Sequence, residues 1–597
     1  MRLRGLIFVL FASAIYGVEP FSAGELARLP TEERVRALVS ESAARGWGSA
    51  VPTLRKAAFD AYETNSAYTS AWYYLFRWAE LLATPHDRAI DGWIKAVEAA
   101  GVGHRNMPSR YEVKPGSLSA RVSNELQQRL LGNPAVSEEF FSTLNAVDNP
   151  VEVLTTLQTI FAKEPGLFQE YVNLAIAIAV VYDVPPPEQW PHGQVSSALL
   201  PRKLPAPEVA FGYWARLDRV NGSMQRLRRL PASELKFVVD NVAPFSELDW
   251  ARKQVSVEWM NFAKVYDLVS YRQDRLQRNQ YAWPGADYRL ERILAEGGIC
   301  VDQAYFASVA GKAKGIPTLL FRGSGLDGRH AWFGFLDHQQ RWQLDAGRYA
   351  EQKFVVGYAY DPQTWGNLND HEVMFISERF RSLPTYKLSV LHTLFAREYL
   401  RDNQSTLALK AAREAVNRER RNLQAWHVLL HAQQLAAPED LRARETVLRE
   451  ALLVFQKYPD LENAFSKQLG ELLRARGETS LATFEAQRLA QKYHAGRSDL
   501  SVERAAETLK SSVQEHDLAA QIRTYNRLLE TSGKGGGIDF FDKVVTPFAL
   551  HLAREGQIPA AIQAVERARG ALRVDSGKQL EIELNELVAQ LRTGKLK

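Results

Sequence analysis

A mostly α-helical chain that encloses one small antiparallel sheet, an α+β architecture, is the fold class that this sequence predicts. Three observations carry the prediction. Apolar residues recur at helical spacing through most of the 597 residues, the last third carries a repeat with fixed offsets, and only residues 318–345 switch to short β-prone runs between turn residues. Hydrophobic residues make up 46% and charged residues 24%, which is ordinary globular composition and argues against disorder. A chain this long is too large for one core, and about three or four domains are expected.

At the N-terminus, Met1-Arg2-Leu3-Arg4 precedes an apolar run over residues 6–14. This is a basic n-region followed by an h-region too short to span a bilayer comfortably. Ala12-Ser13-Ala14 fits the small-residue cleavage rule and Gly17 offers a second position, so residues 1–17 are read as a signal peptide. The expected location is secreted or periplasmic, with an uncleaved N-terminal anchor as the alternative. No stable membrane span is expected after leader removal. The apolar run 173–184 is too short to cross, and the Pro185-Pro186-Pro187 that follows reads as a rigid turn, so it is assigned to a buried core helix. The formal charge of +5 is small, and Lys and Arg are interspersed with Asp and Glu, which argues against a nucleic-acid partner.

Residues 18–250 form the expected N-terminal helical domain. Trp72, Leu75, Phe76 and Ala79 share one helical face, as do Tyr171, Leu174, Ala175 and Ile178. Over 201–249 the charges rise and the pattern weakens, which reads as a linker or docking segment.

Residues 383–597 carry the repeat. Phe395, Ala396 and Tyr399 precede Asn403 and then Ala408, Ala412 and Ala415; Leu469, Gly470 and Leu473 precede Gly477 and then Ala482, Ala486 and Leu489. Phe548, Ala549 and Leu552 stand in the same relation to Gly556, Ala561, Val565 and Ala568. Each unit is a helical hairpin: one apolar face, a Gly or Asn that ends the helix, and a second helix with small residues for close packing. A fourth unit runs from Trp426, Leu429 and Leu430 to Val447, Ala451, Val454 and Pro459. The spacings resemble the tetratricopeptide repeat family, with its Pro position filled only in that unit. Two roles stand side by side: support for the preceding domain, or a surface for a protein partner. The glycine run Ser532-Gly533-Lys534-Gly535-Gly536-Gly537 reads as a flexible break in the array.

The chemistry concentrates in residues 251–382. Cys300 is the only cysteine, so an exported chain would hold one unpaired thiol, an oxidation liability that asks for a reason. It follows Gly297-Gly298-Ile299 at the start of a run, 299–314, that is apolar nearly all round and reads as a buried helix. A first-turn position there favours thiolate and a lowered pKa, and the Cys300 N–H is a candidate oxyanion donor. Thr318-Leu319-Leu320-Phe321 reads as a strand, and 330–336 with 342–345 reads as an antiparallel hairpin. With a two-residue loop His330 faces Asp345; with a four-residue loop Asp345 is diagonal to it. Both registers place thiol, imidazole and carboxylate within reach, so Cys300, His330 and Asp345 are the candidate catalytic triad. Trp283 and Trp332 are either core aromatics or substrate-stacking residues and are carried as candidate substrate-binding positions. No cofactor and no metal are expected, since EF-hand and HExxH patterns are absent and one cysteine excludes Cys-rich zinc sites.

Four blocks in order, Gly297-Gly298-Ile299-Cys300-Val301-Asp302-Gln303-Ala304, Gly315-Ile316-Pro317-Thr318, His330-Ala331-Trp332 and Trp342-Gln343-Leu344-Asp345, resemble the transglutaminase-like superfamily, which is related to papain-type cysteine proteases. The resemblance covers residues 279–361. It implies a helix packed on an antiparallel sheet, with Cys300 as nucleophile, His330 as general base and Asp345 as the orienting carboxylate. A second oxyanion donor is expected upstream of the cysteine, with Gln280, Tyr281 and Trp283 as candidates. The favoured reading is an exported thiol hydrolase, peptidase or amidase, acting on a protein or peptide substrate through a Cys thioester, with acyl transfer to an amine as the variant outcome. The alternative is a non-catalytic cell-envelope scaffold whose repeats bind a protein partner.

Overall fold

The computed structural model describes residues 19–101, 107, 111, 115–349, 355–493, 496–514 and 517–594. The leader and its cleavage positions lie outside the described residues. The chain is mostly helical and holds one five-stranded antiparallel sheet. Among the described residues no helix is long and apolar enough to cross a membrane.

The N-terminal helices pack in antiparallel neighbours such as Val51–Glu63 and Thr69–Ala83, and Trp72, Leu75, Phe76 and Ala79 are all buried. Helix Val172–Val181 is apolar on every side and is correspondingly enclosed, with Leu174 through Val181 inaccessible to solvent. The expected linker over 201–249 is instead integral to the fold. It contributes helices Pro207–Arg219, Ala232–Val239 and Phe245–Gln254, whose Phe211, Trp214, Leu235 and Leu248 are buried. Most of its charges lie on the outer faces of short helices, but Asp218, Lys236 and Asp240 are buried, and these inward charges blur the periodicity without removing the inner stripe.

The sheet has strands β1 (Thr318–Ser324), β2 (Arg329–Leu336), β3 (Trp342–Ala346), β4 (Tyr358–Tyr360) and β5 (Asn367–Asn369), in the order β3-β2-β1-β4-β5. Helix Cys300–Ala313 packs on β1 and β2. Gly311 makes the approach possible, because a Cβ there would lie 2.4 Å from the Thr318 methyl carbon. At the next residue the buried Lys312 ammonium reaches Asp240 (2.5 Å) and the carbonyls of Phe237 (2.6 Å) and Thr318 (3.0 Å), tying this helix to the N-terminal helices.

The repeat offsets correspond to helical hairpins. Helix Pro384–Arg401 turns into Ser405–Arg418, Pro459–Ala475 into Thr479–Tyr493, and Thr546–Arg554 into Ile558–Ala571. The residue at each turn, Asn403, Gly477 and Gly556, has positive φ (58°, 79° and 75°), the left-handed conformation that Gly and Asn adopt most readily. The array does not stand apart. Phe395 stacks on Tyr62 (3.9 Å, 10°), and one hydrophobic core extends from Leu26 to Ala482, with a second cluster over 502–591. The second cluster returns to the sheet: Ile538 N–H donates to Gly325 (3.2 Å) and Leu580 N–H to Asp327 (3.2 Å), both in the turn between β1 and β2. The glycine run is the seat of this contact. It forms helix Lys534–Phe540 between two π-helical turns, and a Cβ on Gly537 would lie 2.5 Å from Leu326 backbone atoms. Composition suggests flexibility there, but the glycines allow close backbone approach.

Candidate active site

Two glycines shape the approach to Cys300. Gly297 (φ 74°) ends helix Leu290–Glu296, and a Cβ there would meet the Ser270 carbonyl at 2.5 Å; one on Gly298 would meet Asp302 Cβ at 2.4 Å. Their small size therefore makes room for segment 270–272 and for Asp302, where the sequence suggested room around the sulfur. Gly298 N–H donates to Ser270 and Arg272 N–H to Gly298 (both 2.9 Å), which brings Tyr271 beside the Cys300 segment.

Cys300 is the first residue of its helix, half-buried. Behind it Asp302, itself buried, accepts from the Ile299 N–H (2.9 Å), Arg275 Nη1 (2.7 Å) and the Tyr288 hydroxyl (2.8 Å). Tyr288 in turn lies 3.0 Å from His192 Nε2, while His192 Nδ1 accepts from the Gln194 N–H (3.3 Å). That arrangement puts the imidazole proton on Nε2, so that His192 donates to Tyr288 and Tyr288 to Asp302, where the Arg275 guanidinium donates from the other side. Burial, aided by Arg202 and Arg322, lowers the His192 pKa to about 3, so it is neutral within the chain. Sequence spacing gives no sign of this network beyond Asp302 at the third helical position.

His330 lies at the start of β2 and is buried; its Nε2 donates to the Gly347 carbonyl (2.6 Å) in the tautomer that leaves Nδ1 as the base. The expected His330–Asp345 pairing is corrected by the structure. Leu336 pairs with Trp342 across a five-residue turn, and the register slips by one between Phe335↔Gln343 and Phe333↔Ala346. Asp345 falls in this bulge, its side chain 72% exposed and paired with Arg348 (2.9 Å). The Asp337 carboxylate explains the turn length by accepting the Gln339 and Arg341 N–H groups (2.8 and 2.9 Å). A backbone carbonyl thus holds the imidazole where a carboxylate was expected.

Cys300 and His330 are shifted in opposite directions by the same cause. Burial pushes the Cys300 thiol up to about 11, against the pull of the N–H groups of Ala331, Val301 and Cys300 itself. This reverses the expected depression at a helix start: desolvation of the thiolate outweighs the first-turn N–H groups. Burial lowers the His330 pKa, partly opposed by its bond to Gly347. At neutral pH Cys300 rests as a thiol and His330 as a neutral imidazole.

Cys300 and His330 open onto one cleft of about 1290 Å³, walled on the far side by the C-terminal repeats through residues such as Glu503, Lys543 and Gln579. Three tyrosines surround the pair. The Tyr266 hydroxyl donates to the Ala331 carbonyl (2.8 Å), the Tyr349 ring lies 5.2 Å from His330, and Tyr271 lines the cleft with its phenol pKa raised by burial and by the Cys300 charge. Neither expected substrate-stacking tryptophan is available. Trp332 has no exposed surface and donates to the Leu344 carbonyl (2.9 Å); Trp283 is buried, donates to the Asp287 carbonyl (2.8 Å) and packs against Tyr288. Both are core residues, Trp332 because it lies in a central strand between Phe321 and Arg348. Among the upstream oxyanion candidates, the N–H groups of Gln280 and Trp283 are spent on the Arg275 and Gln194 carbonyls, and only Tyr281 lines the cleft.

No family model matches the chain, and no curated protein matches it.

Proposed function

We propose that the protein is a thiol enzyme of the transglutaminase-like kind that cleaves a peptide or side-chain amide through a Cys300 thioester. The observation that carries the reading is that a helix-start thiol, facing the Ala331 N–H, and the imidazole of the preceding β2 residue, His330, fixed by Gly347, line one open cleft. Because the resting pair is neutral, His330 Nδ1 takes the thiol proton as sulfur attacks the amide carbon. The C–S bond forms, and negative charge moves to the carbonyl oxygen, where the Cys300 N–H and the Tyr271 hydroxyl are the donors. Collapse breaks the C–N bond, and His330 returns its proton to the leaving amine. Water, deprotonated by the same imidazole, then attacks the thioester carbon; the C–O bond forms, the C–S bond breaks, the acid leaves and the imidazole returns the proton to sulfur. Hydrolysis is favoured over transfer to an amine because the cleft is wide and open to water.

Incubation with a peptide library and an added primary amine tests this. Free acids are expected to exceed amine adducts, with a thioester on Cys300 in the intact mass and no turnover by Cys300→Ala. Excess adducts convert the assignment to a transferase; absence of both thioester and turnover leaves the non-catalytic scaffold.

A further inference from the structure

The cleft beside Cys300 is lined by four Lys or Arg side chains, and three of them are matched by acids. Arg329 pairs with Glu583 and with Asp542 (2.6 Å), Lys543 with Asp539 (3.1 Å), and Lys578 with Asp327 (3.7 Å). The fourth, Arg322, has no ion pair or hydrogen bond among the described residues. Its guanidinium lies 4.7 Å over the Tyr360 ring, half-buried, and its charge reaches His192. On β1 it stands directly across from Ala331, whose N–H faces the Cys300 sulfur. Stacking on a tyrosine face holds a guanidinium in place while leaving its edge for a planar anion. A half-buried cation lacking a counter-charge is also costly unless something supplies one.

We propose that Arg322 is a specificity residue that binds a carboxylate on the acyl donor, so that the enzyme acts on amides next to an anionic group such as a peptide C-terminus. This rests on the thiol reading of Cys300 and adds the substrate class to it. The two N–H groups of one guanidinium edge match the two carboxylate oxygens, and a lysine at this position would supply charge without that fork.

The sole cysteine allows a direct test in the full-length protein. Alkylation of Cys300 is followed with N-iodoacetylglycine, an anion, and N-iodoacetylglycinamide, its neutral counterpart; in both the C–S bond forms as iodide leaves. At low salt the anion should react about tenfold faster, saturating with concentration, and the preference should vanish in Arg322→Gln and partly return in Arg322→Lys, with the neutral probe unchanged throughout. Equal rates in the unsubstituted protein, or a preference that survives Arg322→Gln, overturns the proposal. If neither probe labels the native chain although both label it in urea, the thiol reading fails on its own. Calorimetry on Cys300→Ala then decides the anion site. Binding of N-acetylglycylglycine over its C-terminal amide, abolished by Arg322→Gln, supports it, and equal or absent binding of the two overturns it.

Discussion

The Cys300 thiol and the His330 imidazole are both displaced from their ordinary ranges by burial, the thiol upward to about 11 and the imidazole downward. A thiolate-imidazolium pair is therefore not the resting state, and the proposed mechanism requires His330 to be neutral when substrate arrives. Asp345 has no part in this, because its carboxylate is exposed and held by Arg348. Asp345→Asn is expected to retain activity within about twofold, as for a surface substitution away from the reacting groups. A loss of orders of magnitude in kcat would restore it to the site. The sequence shows the thiol and imidazole because residue type, order and flanking glycines are local signals. It does not show the Gly347 carbonyl, since any residue supplies a backbone oxygen, nor Tyr271, which is brought to the cleft beside Cys300 by the bridge to Gly298.

Among the elements, the Cys300 helix owes its position to charges buried behind it. Arg275 and Asp302 are each 1% exposed and pair at 2.7 Å, and Asp302 also caps the helix start. Removing one partner leaves a buried charge unmatched, so Arg275→Met should destabilise the protein by about 3–5 kcal/mol. Urea unfolding measures it, and a change under about 1 kcal/mol would mean the pair is not structural. Helix 300–313 and the strands of the hairpin are legible from periodicity and β-prone runs almost to the residue. The bulge that turns Asp345 outward is not, because one inserted residue changes the facing of a side chain without changing the alternation that identifies a strand.

Across the whole molecule, the repeats leave the N-terminal helices and return to the β1–β2 turn, so the far end of the array forms one wall of the cleft. The repeat offsets are readable because Asn403, Gly477 and Gly556 mark each turn, whereas the return contact spans more than 200 residues and leaves no local trace. The glycines of 533–537 show the difficulty: the composition of a flexible linker is also the composition of a close backbone contact. Gly537→Ala, placed at positive φ against Leu326, should cost about 1–3 kcal/mol and increase hydrogen exchange at the 325–328 turn. Unchanged exchange there would show that the array does not hold the turn in solution.

The central claim, that His330 activates Cys300 as a base within a neutral pair, is tested most directly by the pH dependence of Cys300 acylation by p-nitrophenyl acetate. The unsubstituted protein should gain rate as His330 loses its proton below the usual imidazole range. It should then hold a plateau through neutral pH until the thiol itself begins to ionise toward about 11. His330→Ala should lack the plateau and rise steadily with pH as thiolate accumulates. A steady rise in both proteins, with no difference at neutral pH, would contradict the account.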